Sequence, residues 1–290
     1  MKQTLLHLAL LALLQLVPTA AMGYDFMVDG IFYNVKNGQA IVTKPGTASA
    51  GAGIPGGYSG EVVIPSEVAH DSITYPVTAI GAHAFSGCAG LTSISMPGSI
   101  TTIGQQAFNG CSGLSSVTIP HSVSTIEEWA FMGCSHLLSV TFGRGVKTIG
   151  HSILDGCSRV TSVTCLAATP PVVDNYGLFN NYTMYYHAKL HVMEGYEADY
   201  QAAPVWSDFF QIIGDIPVPA PEDVNGDGEI NIADANNVIE VIVHGPGSGG
   251  HSRLPSGESL LDVADVNSDG EINIADINAI LDAIINQHKL

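Results

Sequence analysis

IGQQAFNGCSGLSSVTIP, residues Ile103–Pro120, decides the fold, because the same register returns on both sides of it. IGAHAFSGCAGLTSISMPGSITT occupies Ile80–Thr102, IGQQAFNGCSGLSSVTIPHSVST Ile103–Thr125, and IEEWAFMGCSHLLSVTFGRGVKT Ile126–Thr148; a partial copy, IGHSILDGCSRVTSVTC, fills Ile149–Cys165. The period is 23 residues, so Cys88, Cys111, Cys134 and Cys157 fall at one repeat position. A fixed period in the twenties with an L-x-x-L-x-L core predicts a solenoid of stacked coils. That core reads Leu91-x-x-Ile94-x-Met96, Leu114-x-x-Val117-x-Ile119, Leu137-x-x-Val140-x-Phe142 and Val160-x-x-Val163-x-Cys165.

One coil cannot bury its own apolar face, so neighbouring coils share a continuous core. The alternation predicts a short strand in each coil with Ile94, Val117, Val140 and Val163 turned inward. Ile100, Val123 and Val146, then Ile103, Ile126 and Ile149, add rows to that core, and Phe85, Phe108 and Phe131 should stack as an aromatic column. The outward positions are Ser93, Ser116, Ser139 and Ser162, then Ser95, Thr118, Thr141 and Thr164, which predicts a flat, weakly charged hydroxyl face. Five cysteines is an odd number for an exported chain. Equivalent coil positions are about 4.8 Å apart, wider than the roughly 3.8 Å Cβ separation of a disulfide, so the cysteines are expected as buried, unpaired small hydrophobes.

This pattern resembles the BspA-like leucine-rich repeats of secreted bacterial proteins, whose I-G-x-x-A-F-x-G-C-x-x-L-x-x-V-x-I-P consensus is written almost whole in Ile103–Pro120. The likeness spans Tyr24 to about Gly214. It implies a mainly-β solenoid and a role in surface adhesion or protein binding.

The flanks follow from the repeat. Phe26, Val28, Ile31, Tyr33 and Val35 alternate around Asp29-Gly30, which predicts a hairpin capping the first coil, followed by a Gly/Ala/Ser-rich loop; together these are residues 24–60. Val62-x-Ile64-Pro65 matches the strand ending of a full repeat, so the solenoid, 61–214, opens on a degenerate coil with an insertion around His70–Tyr75. Beyond Cys165 the period fails; Leu190-x-Val192 reads as one last strand. Tyr200, Trp206, Phe209 and Phe210 read as a cap over the open end, the alternative being an exposed binding patch. Residues 215–222 contain Pro217, Pro219 and Pro221 and form an extended linker.

Residues 1–23 have the order of an export signal: Lys2, the apolar run Leu5–Val17, then the small-residue stretch Pro18–Gly23. The expectation is a secreted or cell-surface protein with no membrane insertion after cleavage. Net charge is −18, from 27 acidic against 9 basic residues, which argues against nucleic acid as a partner. The acidity is concentrated: from Ala220 onward there are 13 Asp and Glu against 2 Lys and Arg.

Two 12-residue loops account for much of it. Asp223-Val-Asn-Gly-Asp-Gly-Glu-Ile-Asn-Ile-Ala-Asp234 returns as Asp265-Val-Asn-Ser-Asp-Gly-Glu-Ile-Asn-Ile-Ala-Asp276. Oxygen side chains at positions 1, 3, 5, 9 and 12 with Gly at 6 are the pattern of an EF-hand Ca²⁺ loop. Asp223, Asn225, Asp227 and Asp234 offer side-chain oxygens, Glu229 its backbone carbonyl, and Asn231 a water-mediated contact; Asp265, Asn267, Asp269, Glu271, Asn273 and Asp276 repeat the set. Prolines 217, 219 and 221 prevent a helix from entering the first loop. Helices are expected to leave both loops, over Ile232–Val243 and Ile274–Ile285, with apolar rows at Val238, Ile239, Ile242 and at Ile277, Ile280, Ile284.

Loop plus exiting helix, duplicated over 223–290, resembles a type I dockerin domain. The resemblance implies two Ca²⁺ ions and a cohesin-like partner, with loop positions 10 and 11 choosing it: here Ile232-Ala233 and Ile274-Ala275, the same in both halves. The hydroxyl pair usual at these positions is missing, and Gly245–Gly257 lengthens the connection between the halves. The fold class is thus α/β mixed, a mainly-β solenoid followed by a small α-helical calcium module. No nucleophile elbow, phosphate loop or metalloprotease helix is present. His187-x-x-x-His191 lacks the glutamate of a zinc helix, and Glu127-Glu128 reads as a solvated pair on a turn. The expectation is a non-catalytic interaction protein whose repeat face takes a protein or glycan. Its alternatives are a carbohydrate-active enzyme or inhibitor carried by its dockerin, and a free adhesin whose calcium module is purely structural.

Overall fold

The computed structural model describes residues 23–44, 57–174, 177–181 and 183–218, and in the tail 232, 235, 236, 239, 266 and 274–287. The expected export signal lies outside them.

Each coil carries two short strands. One set is β7 (Leu91–Ser95), β9 (Ser116–Thr118), β11 (Ser139–Phe142) and β13 (Ser162–Cys165); the other is β8 (Thr102–Ile103), β10 (Thr125–Ile126), β12 (Thr148–Ile149) and β14 (Val172–Val173). Coils stack in register at the 23-residue period, with Val140 beside Val117 and Val163, and Ile126 beside Ile103 and Ile149. The remaining side of each coil is also tied to its neighbour. Phe85 N–H donates to Ala107 O at 2.7 Å, Phe108 to Ala130 O at 2.7 Å and Phe131 to Ile153 O at 3.0 Å. Backbone polar groups are therefore paired on all sides of the coil, as burial requires.

The interior matches the sequence pattern. Val117, Val140, Val163, Ile103, Ile126, Ile149, Ile100, Val123 and Val146 are buried. Phe85, Phe108 and Phe131 stack with parallel rings, centroids 5.0 and 5.1 Å apart. Tyr58 closes the column at 4.6 Å from Phe85. All five cysteines are buried and free. Their position has a use that size alone does not give: the thiols of Cys111, Cys134 and Cys157 donate to the carbonyls of Phe85, Phe108 and Phe131, at 3.1–3.3 Å. Ile94 and Met96 depart from expectation and are only half-buried. Their strand, β7, has a ladder partner on one side only.

The ends are closed by different means. β1 (Phe26–Val28) and β2 (Ile31–Lys36) form the expected hairpin, and a second turn at Asn37-Gly38 adds β3 (Gln39–Thr43), which pairs parallel with β6 (Ile73–Ile80). The hairpin thus extends one sheet of the solenoid. Ile31, Phe32 and Tyr33 are all buried, because Tyr24 and Tyr58 cover the face bearing Phe32. β4 (Gly60–Val63) pairs with β7 as the degenerate first coil, and the insertion is a hairpin of β5 (Glu67–His70) with β6. At the other end β15 (Lys189–Met193) is not the last strand: β16 (Gln211–Ile216) pairs parallel beyond it and takes in the first two residues of the stretch read as linker. Helix α1 (Thr183–His187) precedes β15, and α2 (Glu197–Ala202) lies between β15 and β16. Tyr200, Trp206 and Phe209 are buried as a cap; Tyr200 Oη donates to Ala167 O and Trp206 Nε1 to Pro171 O, both at 2.7 Å.

Two measurements check this packing. Phe108→Ala removes the middle ring of the column and is expected to destabilise the solenoid by about 3–5 kcal/mol in urea unfolding; a loss below about 1 kcal/mol would show that the column is not a core element. The thiols give the second. Burial pushes the Cys111 thiol up to about 12 and Cys165 to about 11, and Cys134 is raised by its Cys157 neighbour and by burial. The native state therefore keeps protons that the unfolded chain releases above the ordinary thiol value of about 9, so stability should fall as pH rises beyond it. All five thiols should resist an aromatic disulfide reagent in the native protein and react after denaturation.

Candidate functional site

The solenoid presents its outward strand positions as predicted. Ser93, Ser95, Ser116 and Thr118 are exposed, while Ser139, Thr141, Ser162 and Thr164 are half-buried between neighbours. The rows continue past the repeats into different chemistry. Ser162 is followed by Lys189 and Thr164 by His191, and His191 Nδ1 meets the Asp215 carboxylate at 2.9 Å. The face is therefore charged at its C-terminal end. His187 ends α1 while His191 lies on β15, so their sequence spacing is not a shared metal-binding geometry. Among the described residues no group of three His, Cys, Asp or Glu is gathered for a metal.

Two further expectations change. Glu127 and Glu128 are not merely solvated: Glu127 Oε2 accepts from Gln105 N–H at 2.7 Å and Glu128 Oε1 from Gln105 Nε2 at 2.9 Å, clamping one coil to the next. Phe210 is not part of the cap. It is 69% exposed and lies beside Tyr186, with ring centroids 5.8 Å apart.

In the tail, α3 (Ile274–Gln287) leaves the second loop as the pattern requires. Ile232, Ala235, Asn236 and Ile239 are helical at the matching positions after the first loop. Of the twelve expected Ca²⁺ ligands, Asp276 lies among the described residues. It is wholly buried in the first turn of α3. A buried carboxylate must be met by donors or a cation, and the N-terminal end of a helix favours negative charge. It stands at position 12 of the loop pattern. The other eleven ligands, and Ala233, lie outside the described residues.

Of the expected partner-binding positions that are described, the two isoleucines are exposed. Ile232 is 60% and Ile274 69% exposed, and Ala275 is half-buried. Ile239, in the apolar row of its helix, is 39% exposed, and Ala235 one turn earlier is buried. Leu281, its equivalent 42 residues on, is also exposed at 37%. Ile232 and Ile239, like Ile274 and Leu281, are seven apart and share a helix face. The inward positions on α3 are Asp276 and Ile280, both at 0%. The duplication visible in the loops thus extends to an exposed apolar pair on each helix. Among the described residues no helix is long and apolar enough to cross a membrane.

Comparison with known proteins agrees with this division. The BspA type leucine rich repeat region matches residues 67–183 in six copies, and the dockerin type I domain matches residues 221–285. No curated protein matches the chain. A leucine-rich repeat protein from Bacteroides capillosus is 29% identical over 43% of this chain and 86% of its own, with a TM-score of 0.37. The Treponema pallidum leucine rich repeat protein is 21% identical over 68% of this chain and 81% of its own, TM-score 0.45. A leucine rich cell surface protein from Faecalibacterium prausnitzii is 24% identical over 59% and 45%, TM-score 0.44. Repeat register, coil geometry and loop duplication lead to one assignment by region: residues 67–183 are a BspA-type leucine-rich repeat region and residues 221–285 a type I dockerin domain.

Proposed function

We propose that this is an exported, non-catalytic interaction protein, in which the solenoid displays a binding surface for a protein or glycan and the tail docks it, with Ca²⁺ bound, to a cohesin-type partner at the cell surface or outside the cell. The observation that carries the docking half is the doubled apolar pair, Ile232 with Ile239 and Ile274 with Leu281, on helices that follow twin acidic loops. Exposed apolar positions repeated in both halves suit a partner that engages either half. Export is supported by the leader-like order of residues 1–23.

The two loops hold one Ca²⁺ each in this reading. Asp223, Asn225, Asp227, Glu229, Asn231 and Asp234 form one set, and Asp265, Asn267, Asp269, Glu271, Asn273 and Asp276 the other. The ion neutralises carboxylates that would otherwise repel one another and so lets the helices close on a shared core. Asp276 fits as position 12 of its loop, a carboxylate placed in the first turn of the helix that leaves it.

Calorimetry on the full chain is expected to find two Ca²⁺ sites per molecule, both lost in the Asp223→Ala, Asp265→Ala double variant, with one weakened in Asp276→Asn. At a hundredfold excess over its dissociation constant, each bound ion should stabilise the tail by about 2.7 kcal/mol. Absence of Ca²⁺ binding would remove the docking reading.

Docking has its own test. Against a panel of cohesin domains with Ca²⁺ present, Ile232→Asp or Ile274→Asp alone should leave capture largely intact, because the other half remains. The double variant should abolish capture. Capture that survives both the double substitution and a chelator would show that the partner is held elsewhere.

A further inference from the structure

On the solenoid, a shallow groove of about 370 Å³ runs along the turn that precedes the outward strand, across four consecutive coils from Ala89 to Arg159. Its lining includes Ser112, Gly113, Ser115, His136, Leu138 and Arg159. The repeat register explains how it is built. Gly113, His136 and Arg159 occupy one repeat position, 23 residues apart, so a bare backbone in one coil gives way to two basic side chains in the next two. Gly113 cannot be enlarged: a Cβ there would lie 2.6 Å from the carbonyls of Ala89 and Leu91. One end of the groove is thereby held open.

Its chemistry is unusual for this chain. Net charge is −18, yet Arg159 takes part in none of the ion pairs formed among the described residues. His136 is oriented by the fold, its Nδ1 lying 2.7 Å from Ser112 O. A carbonyl only accepts, so Nδ1 carries the proton, and Nε2 of the neutral ring is left as an acceptor. Leu138, 41% exposed, contributes a flat apolar wall. The groove thus offers a guanidinium for a carboxylate, an imidazole nitrogen that accepts from a hydroxyl, two serine hydroxyls and an apolar surface.

We propose that this groove binds a carboxylate-bearing saccharide. Arg159 pairs with the carboxylate, in the forked geometry that guanidinium and carboxylate share. His136 Nε2 accepts from a ring hydroxyl, Ser112 and Ser115 meet others, and Leu138 lies against the C–H face of the ring. A polyanion is disfavoured by the net charge of the whole molecule; a ring with one carboxylate and several hydroxyls suits one arginine among neutral polar groups. The inference deepens the display half of the proposed function by naming a ligand class, and it is independent of the tail.

The test is titration of the full chain by NMR or calorimetry with D-glucuronic acid, D-glucose, acetate and triglutamate, each with and without a chelator. Glucuronate is expected to bind at least about tenfold more tightly than glucose, which lacks the charge-assisted contact, and than acetate, which lacks the hydroxyl and ring contacts. Arg159→Gln should reduce glucuronate affinity by roughly tenfold, with an unchanged unfolding midpoint, and the exposed Lys147→Gln should leave affinity unaltered. Chelation should not alter binding, which separates this outcome from failure of the Ca²⁺-dependent docking. The proposal is overturned if glucuronate does not bind, if acetate or glucose binds as well, if triglutamate binds more tightly, or if Arg159→Gln has no effect.

Discussion

A 23-residue coil has no interior of its own, and everything in the solenoid answers to that constraint. The backbone solves half of it by hydrogen bonding to adjacent coils on every side. Side chains solve the rest by placing identical groups above one another. Phe85, Phe108 and Phe131 stack with rings inclined by only 2°, because a strict repeat leaves no freedom to tilt. The cysteine beside each phenylalanine follows from the same crowding. Its position needs a small side chain, and one that donates weakly gives a carbonyl of the preceding coil, already met by a backbone N–H, a second partner. Both an alanine and a leucine would fill it less well, the first leaving a void and the second overfilling a close-packed stack.

A stack that propagates must also stop. The N-terminal end does so by adding ordinary antiparallel strands to one sheet, with Tyr58 over the aromatic column and its hydroxyl bonded to Phe32 N–H and Thr43 O. The C-terminal end keeps the parallel strands β15 and β16 but abandons the repeat sequence, and packs Tyr200, Trp206 and Phe209 across the opening. The aromatic residues there cover area, and their polar atoms reach backbone carbonyls in Ala167 and Pro171 that the missing next coil would have met.

What was legible in the sequence tracks what the repeat repeats. Core rows, free cysteines, the first hairpin and the helix after the second loop follow from periodicity and spacing. β16 was missed because Gln211–Ile216 has no L-x-x-L signature; it is a strand because β15 offers it a partner. The turn at His83, Gln106, Trp129 and Ser152 was also invisible. All four have φ between 53° and 59°, a left-handed conformation imposed by the coil, with no glycine to announce it. Glu127 and Glu128 looked like a solvated pair because their partner, Gln105, is one whole coil away. The exposure of Ile239 was not legible from its apolar row, because a 3.6-residue pattern names an apolar face without saying whether a protein's own interior or a partner covers it.

That last ambiguity separates fold from function in this chain. Repetition makes the solenoid stable and its outward strand positions uniform, so recognition has to come from departures from the repeat. The basic pair His136 and Arg159 is one departure, since the two preceding coils have glycine at that position. The exposed pair Tyr186 and Phe210 is another, placed where the repeat has ended. The tail obeys the opposite logic. There the repeated apolar residues, Ile232 with Ile274 and Ile239 with Leu281, stay exposed instead of joining an interior. A single chain therefore uses repetition twice, once to build a core and once to repeat an exposed apolar pair.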